Sequence, residues 1–280
     1  MSSESHLGKL VGRGRTADIY AWDGDRVVKL FHDWVSASGV EREALAGRLV
    51  HAAGLPAPRL DEVVSIEGRR GIVYERLQGP SMLALIKRRW WSVRRFARQM
   101  ARLHAALHAV HLSDLPSQRE YLRWKIEHAD LLPDRSRAAA LAALERLPDD
   151  DAVCHGDFHP DNILITARGP VIIDWHDTVR GHPLGDVART LLLMSMGDPP
   201  GTSAPLRWIF GRFRSALCNA YLRQYGALTG ATYAEIDAWM LPLAAGRLSE
   251  KIPEEVDSLM ARVKALEPSE RATRESHPKI

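Results

Sequence analysis

The stretch His155-Gly156-Asp157-Phe158-His159-Pro160-Asp161-Asn162 decides how this chain is read, together with Asp174, twelve residues after Asn162 at the end of the apolar run Val171-Ile172-Ile173. Phosphoryl transfer needs a carboxylate to orient an acceptor hydroxyl and further oxygen ligands to hold magnesium on the phosphates. Asp157, Asn162 and Asp174 are of those types. The D-x-x-x-x-N spacing lets one loop offer a carboxylate to the acceptor and an amide to a metal, while Asp174 projects a second hard ligand from a strand end. Turn-forming polar residues alone do not require this order and spacing. An alternative takes His155, Asp157 and His159 as the metal ligands of a hydrolase. It lacks a second cluster of the HExxH or HxxEH kind among the remaining histidines.

Upstream, Gly12-x-Gly14-x-x-Ala17 precedes Lys29 by a stretch that reads as β-structure. Glycines let backbone N–H groups approach phosphate oxygens with no Cβ in the way. The same pattern fits a dinucleotide fingerprint only if a helix follows at once. Here Asp18 to Trp22, the Asp23-Gly24 turn and Arg26 to Phe31 predict a hairpin instead. Lys29 lies within the apolar strand Val27-Val28-Lys29-Leu30, where an unpaired ammonium is costly to bury, so it calls for an anion. A helix is expected over Val40 to Ala53, stopped by Gly54, Pro56 and Pro58, and strands over Leu60 to Ile66 and Gly71 to Glu75.

Past Gly79-Pro80 the pattern turns helical. Phe96, Met100, Leu103, Leu107 and Val110 step along one face, with Arg94, Arg98 and Arg102 on the opposite one. The basic run from Lys87 to Arg102 is read as a solvated face, and Trp90-Trp91 either caps a pocket or packs the start of the helical half. Short strands are expected at Ala152 to Cys154, Ile163 to Thr166 and Val171 to Ile173, and the tail from Glu267 is expected to fray.

These motifs resemble the aminoglycoside phosphotransferase and choline kinase group of kinase-like enzymes, whose loop reads H-G-D-x-x-x-x-N followed by I-D-[WFL]. The resemblance covers Leu10 to about Leu266. It implies an α+β, protein-kinase-like two-lobed fold, with a β-rich nucleotide-binding lobe over residues 1–77 and a larger helical lobe over residues 78–280, and ATP between them. It also implies ATP and Mg2+ as cofactors and a small-molecule hydroxyl as acceptor. By resemblance Asp157 is the catalytic base, and Asn162 and Asp174 are the metal ligands. Gly12 and Gly14 cover the phosphates, with Ala17 in place of a third glycine. Lys29 pairs with Glu43, or with Glu41 as fallback, and Glu75 and Leu77 contact adenine through their backbone. His155 supports the loop, Asp186 anchors it, and His104 is a packed structural histidine. A non-catalytic kinase-like nucleotide-binding module is the competing class.

Composition sets the outer bounds. The 280 residues are 45% hydrophobic and 26% charged, which suits a globular chain with a sizeable core. A formal charge of +3 gives no excess of basic residues of the kind that marks a nucleic-acid binder. Cys154 and Cys218 lack CxxC spacing, which fits a reducing compartment. With no apolar signal core and no long apolar run, a cytoplasmic monomer or homodimer without membrane contact is expected. A polycationic acceptor would need an acidic pocket. Glu250, Glu254, Glu255 and Asp257 are candidates for it by charge, against the arginine-rich helix.

Overall fold

The computed structural model describes residues 7–196 and 203–267. The expected fraying of the tail concerns residues that lie, apart from Glu267, outside the described ones. Contacts divide the chain into two compact units, Met1–Trp90 with His159–Thr178, and Trp91–Phe158 with Val179–Ile280. The division expected after residue 77 falls inside the first unit.

The first unit is built on a five-stranded antiparallel sheet of β1 (Leu10–Arg13), β2 (Ala17–Trp22), β3 (Arg26–Phe31), β4 (Leu60–Ile66) and β5 (Arg69–Glu75), in the order β1-β2-β3-β5-β4. Strand alternation sends Phe31, Ile72 and Tyr74 to one face, where they pack on Val40 and Ala44. Val28, Leu30 and Val73 cluster separately with Ile66. Helix α1 (Ala37–Ala52) starts three residues before the expected Val40 because Ser36 caps it, accepting the N–H of Gly39 at 3.1 Å. Its buried stripe is Val40, Glu43, Ala44, Gly47 and Val50, so the helical period carries a carboxylate into the core. After β5 comes the short α2 (Met82–Arg88).

Residues 159–178 join this unit through a hairpin, β7 (Ile163–Thr166) with β8 (Gly169–Ile172). Ile165 donates its N–H to the Pro80 carbonyl at 2.9 Å, and Ile172 donates to that of Pro56 at 2.7 Å. Gly79, at φ +153, is the point of closest approach: a Cβ there would lie 2.1 Å from the Ile165 carbonyl oxygen. Only glycine fits.

The second unit is mainly helical: α3 (Val93–Leu107), α4 (Gln118–Glu127), α5 (Asp134–Glu145), α6 (Pro183–Ser195), α7 (Ala204–Thr229), α8 (Tyr233–Asp237), α9 (Met240–Arg247) and α10 (Pro253–Leu266). Its sheet is one antiparallel pair, β6 (Ala152–Cys154) with β9 (Val179–Gly181). The stripe that α3 buries is Val93, Ala97, Met100, Ala101, His104 and Leu107. Phe96 and Leu103 are only half-buried, and Val110 lies beyond the helix end. The expected face is therefore met at Met100 and Leu107 and displaced elsewhere, because Ala97, Ala101 and His104 turn inward in place of Phe96 and Leu103. Arg94, Arg98 and Arg102 are exposed.

Candidate active site

In the first unit, three chain-distant charges converge. Lys29 Nζ lies 2.7 Å from Glu43 Oε1 and 2.7 Å from Asp174 Oδ1. Lys29 is 8% exposed and Glu43 1% exposed, so the pair sits within the sheet–helix core. Burial alone would lower the Lys29 pKa, but the Glu43 and Asp174 carboxylates outweigh it and hold the ammonium above its ordinary range. Burial likewise pushes Asp174 up, yet Lys29 and His176 hold its carboxyl well below the usual range. Asp174 is thus an ionised hard donor, about one-third exposed, at a left-handed φ of +69. Glu43 takes the lysine, and Glu41 instead accepts from Arg70 on the surface at 2.7 Å. Tyr74, which motif reading missed, donates its hydroxyl to Glu43 Oε1 at 3.2 Å.

Asn162 is brought to the same end of the β7–β8 hairpin as Asp174. Register pairs Ile163 with Ile172, and Ile173 donates its N–H to the Asn162 carbonyl at 2.9 Å. His159 caps the 3-10 turn Pro160–Asn162, its Nδ1 accepting the N–H of Asp161 at 3.3 Å. Gly12 lies within β1, paired with Ile19, while Gly14 forms the turn and donates its N–H to the Ala17 carbonyl at 2.9 Å. A Cβ on Gly14 would meet that carbonyl oxygen at 3.0 Å. The N–H of Glu75 goes to the Arg59 carbonyl at 3.0 Å, and its side chain meets Arg168 at 3.0 Å. Leu77 lies past the end of β5, half-buried.

In the second unit the loop bearing Asp157 leaves β6 and is gripped from both sides. Asp186, on α6, is 1% exposed. Its Oδ2 accepts the His155 N–H at 2.6 Å, and its Oδ1 accepts the Gly156 N–H at 2.9 Å. Burial favours the neutral acid, but His104 and His108 hold the Asp186 carboxyl well below the carboxylate range. The Gly156 carbonyl, at a residue with φ +78, accepts from Arg189 Nε at 3.1 Å. Within the loop, Asp157 donates its N–H to His155 Nδ1 at 3.2 Å, and half-buried Asp157 follows directly from the clamped peptide.

Arg189 reaches this position as part of an ionic network. Glu250 accepts from Arg189 at 2.8 Å, from Lys125 at 3.2 Å and from Arg247, while Arg247 also grips Glu255 at 2.7 and 2.9 Å. Two of the four acids suggested for a cationic acceptor are therefore already neutralised from within. Glu254 and Asp257 are exposed.

The hydrolase alternative finds no support in these contacts. His155 is fully buried with its Nδ1 committed to its own loop, and the Nδ1 of His159 caps a turn. His104, His108 and Asp186 offer ligand atoms within 4.8 Å of one another. Each ring nitrogen of the two histidines is nevertheless already hydrogen-bonded, which makes this cluster a packed polar core.

Comparison with known proteins agrees with this architecture. The family model described as the phosphotransferase enzyme family matches residues 9–239. The chain belongs to that family. A curated aminoglycoside 3'-phosphotransferase of Streptomyces fradiae is 27% identical over 214 residues, covering 69% of this chain and 74% of its own. An acyl-CoA dehydrogenase family member 11 of Gallus gallus is 30% identical over 177 residues, 55% of this chain, and the match spans only 23% of that relative's length. Among solved structures, a thermostable variant of aminoglycoside phosphotransferase APH(4)-Ia, in ternary complex with AMP-PNP and hygromycin B, superposes with a TM-score of 0.65 at 19% identity, covering 93% of this chain and 92% of its own. An aminoglycoside-3'-phosphotransferase of type VIII gives 0.59 at 22%, covering 89% and 94%. A macrolide 2'-phosphotransferase from Brachybacterium faecium gives 0.54 at 17%, covering 95% and 96%. The fold is the α+β, kinase-like one of this phosphotransferase family.

Proposed function

We propose that the protein transfers the γ-phosphoryl group of ATP to a hydroxyl of a small molecule. The observation that carries the reading is the Lys29–Glu43–Asp174 convergence, at 2.7 Å on both sides of one buried ammonium. A lysine fixed by a helix carboxylate is what positions phosphates in kinase-like sites. The relative solved with AMP-PNP supports nucleotide use in this fold.

Each part has a task. The turn closed by Gly14 covers the phosphates, and Lys29 aligns them. Leu77 offers backbone groups to the adenine, a better candidate than Glu75, whose N–H is already taken by Arg59. Asp157 orients the acceptor hydroxyl and receives its proton, on a loop whose two preceding amides are fixed by Asp186. Asn162 and Asp174 are hard oxygen donors, the second held ionised, and they suit Mg2+. Bound there, magnesium would neutralise phosphate charge.

For the acceptor, the commitment of Glu250 and Glu255 to arginine and lysine argues against recognition of a polycationic molecule by that cluster. The two cysteines are unpaired, in keeping with a cytoplasmic protein, and no described helix is long and apolar enough to cross a membrane.

The test is a thermal-shift titration with MgATP, followed by a product assay over neutral, anionic and polycationic alcohols. MgATP is expected to raise the melting temperature and one alcohol class to be phosphorylated. Asp157→Asn is expected to lower turnover by about 10²- to 10⁴-fold. Unchanged turnover in that variant would overturn the mechanism, and stabilisation by zinc in place of MgATP would overturn the reading as a whole.

A further inference from the structure

Asp186 has more donors than the loop requires. Four N–H groups reach its two carboxylate oxygens: His155 and Gly156 from the loop, Nε2 of His104 from α3 at 2.9 Å, and Nε2 of His108, the residue that caps the C-terminus of α3, at 3.3 Å, with three of the four on Oδ2. An ionised carboxylate only accepts, so each Nε2 carries its ring's proton. Each Nδ1 then faces a tyrosine hydroxyl of α7, His104 to Tyr221 at 2.6 Å and His108 to Tyr225 at 2.8 Å. The result is a two-rung ladder. Histidines at i and i+4, the last turn of α3 and its C-terminal cap, meet tyrosines at i and i+4 of α7, and both rungs end on one oxygen, Asp186 Oδ2. The histidine rings lie 4.1 Å apart, and His104 stacks on Phe158 of the loop at 4.0 Å.

We propose that His108, oriented by Tyr225, is a positioning residue for the loop that presents Asp157, acting through Asp186. The inference rests on the phosphotransfer reading for its functional meaning. The first rung and the loop amides already bond both carboxylate oxygens, and His104 alone opposes the loop from the side of α3. The second rung approaches the same oxygen from one helical turn further along α3, so rotation of the carboxylate breaks it. The His155 and Gly156 amides are then held in one direction, and the left-handed Gly156 keeps Asp157 at a fixed bearing.

The test compares wild type with His108→Leu, His108→Gln and Tyr225→Phe in the full chain by amide hydrogen exchange. Leucine fills the space without a donor, while glutamine restores an N–H. With His108→Leu, exchange at His155 and Gly156 is expected to rise about tenfold, with the β1–β5 amides unchanged, and glutamine is expected to recover most of the protection. Tyr225→Phe, the milder change, is expected to fall between. MgATP turnover by the same variants is expected to lose kcat and to keep KM for MgATP within about twofold. Unchanged exchange at residues 155 and 156 in the leucine variant overturns the proposal. So does a uniform rise across the second unit without rescue by glutamine, or a loss confined to KM. Full turnover in Asp157→Asn would instead sink the phosphotransfer reading and leave the exchange result standing, so the two failures are separable.

Discussion

Tyr74 shows how one side chain can matter without appearing in any motif. Its hydroxyl and Lys29 both donate to Glu43 Oε1, while Glu43 Oε2 is buried without a partner among the described residues. The carboxylate therefore depends on two donors at one oxygen. Tyr74→Phe removes one of them and is expected to cost about 1.5–3 kcal/mol in urea unfolding, the range for hydrogen bonds to charged groups. No change in the midpoint would mean that Lys29 alone suffices. At this scale, the spacing of Asp157, Asn162 and Asp174 and the lone charge of Lys29 in an apolar strand leave visible marks in the sequence, whereas Glu43 is singled out over Glu41 by family resemblance alone. Tyr74 leaves none, since a tyrosine in a strand reads as packing. His108 and Tyr225 leave none either, since they meet across 117 residues of chain.

At the scale of elements, turn residues between apolar runs marked β2 to β5, and helical period marked α1. It gave α3 with a partly displaced face, since a buried histidine counts as polar in any hydrophobic pattern. The three-residue β9 carries too few positions to show a period. The β7–β8 hairpin poses a different problem. Its attachment to the first unit runs through backbone contacts at Gly79 and Pro80, which no side-chain pattern encodes. Gly79→Ala is expected to drive its Cβ into the Ile165 carbonyl and shift the hairpin that carries Asn162 and Asp174. Strain of about 1–3 kcal/mol follows, and the thermal shift given by MgATP should shrink with it. An alanine variant with wild-type stability and an undiminished MgATP shift would show that the hairpin is held elsewhere.

Over the whole molecule, the polar core of the second unit sets how stability responds to acid. His104 is buried among Asp186, His108, Tyr221, Tyr225 and His155, and burial, with His108 next, pushes its pKa down to about 3 although Asp186 opposes the shift. The unfolded chain takes up that proton near pH 6.5 and the folded chain does not, so the unfolded state binds more protons between these values. Stability is then complete above about pH 6.5 and is lost as pH falls towards 3. Asp186, held below its ordinary range, stays ionised through the upper part of this window and does not offset the loss, and burial gives His182 a shift of the same sign. In the first unit, by contrast, Asp177 and Asp174 outweigh burial and hold His176 above its ordinary range, a shift of the opposite sign. The loss at pH 5 relative to pH 7 comes to about 2 kcal/mol from His104 alone. Between pH 7 and pH 5 the melting temperature of the wild type should accordingly fall by roughly 4–8 °C more than that of a variant without this histidine, for a unit of this size. His104→Gln, less stable at pH 7, should lose most of this slope. A His104→Gln variant with the same fall between pH 7 and pH 5 as the wild type would mean that His104 already carries its proton in the folded state. The neutral tautomer that aims its Nε2–H at Asp186 would then be wrong.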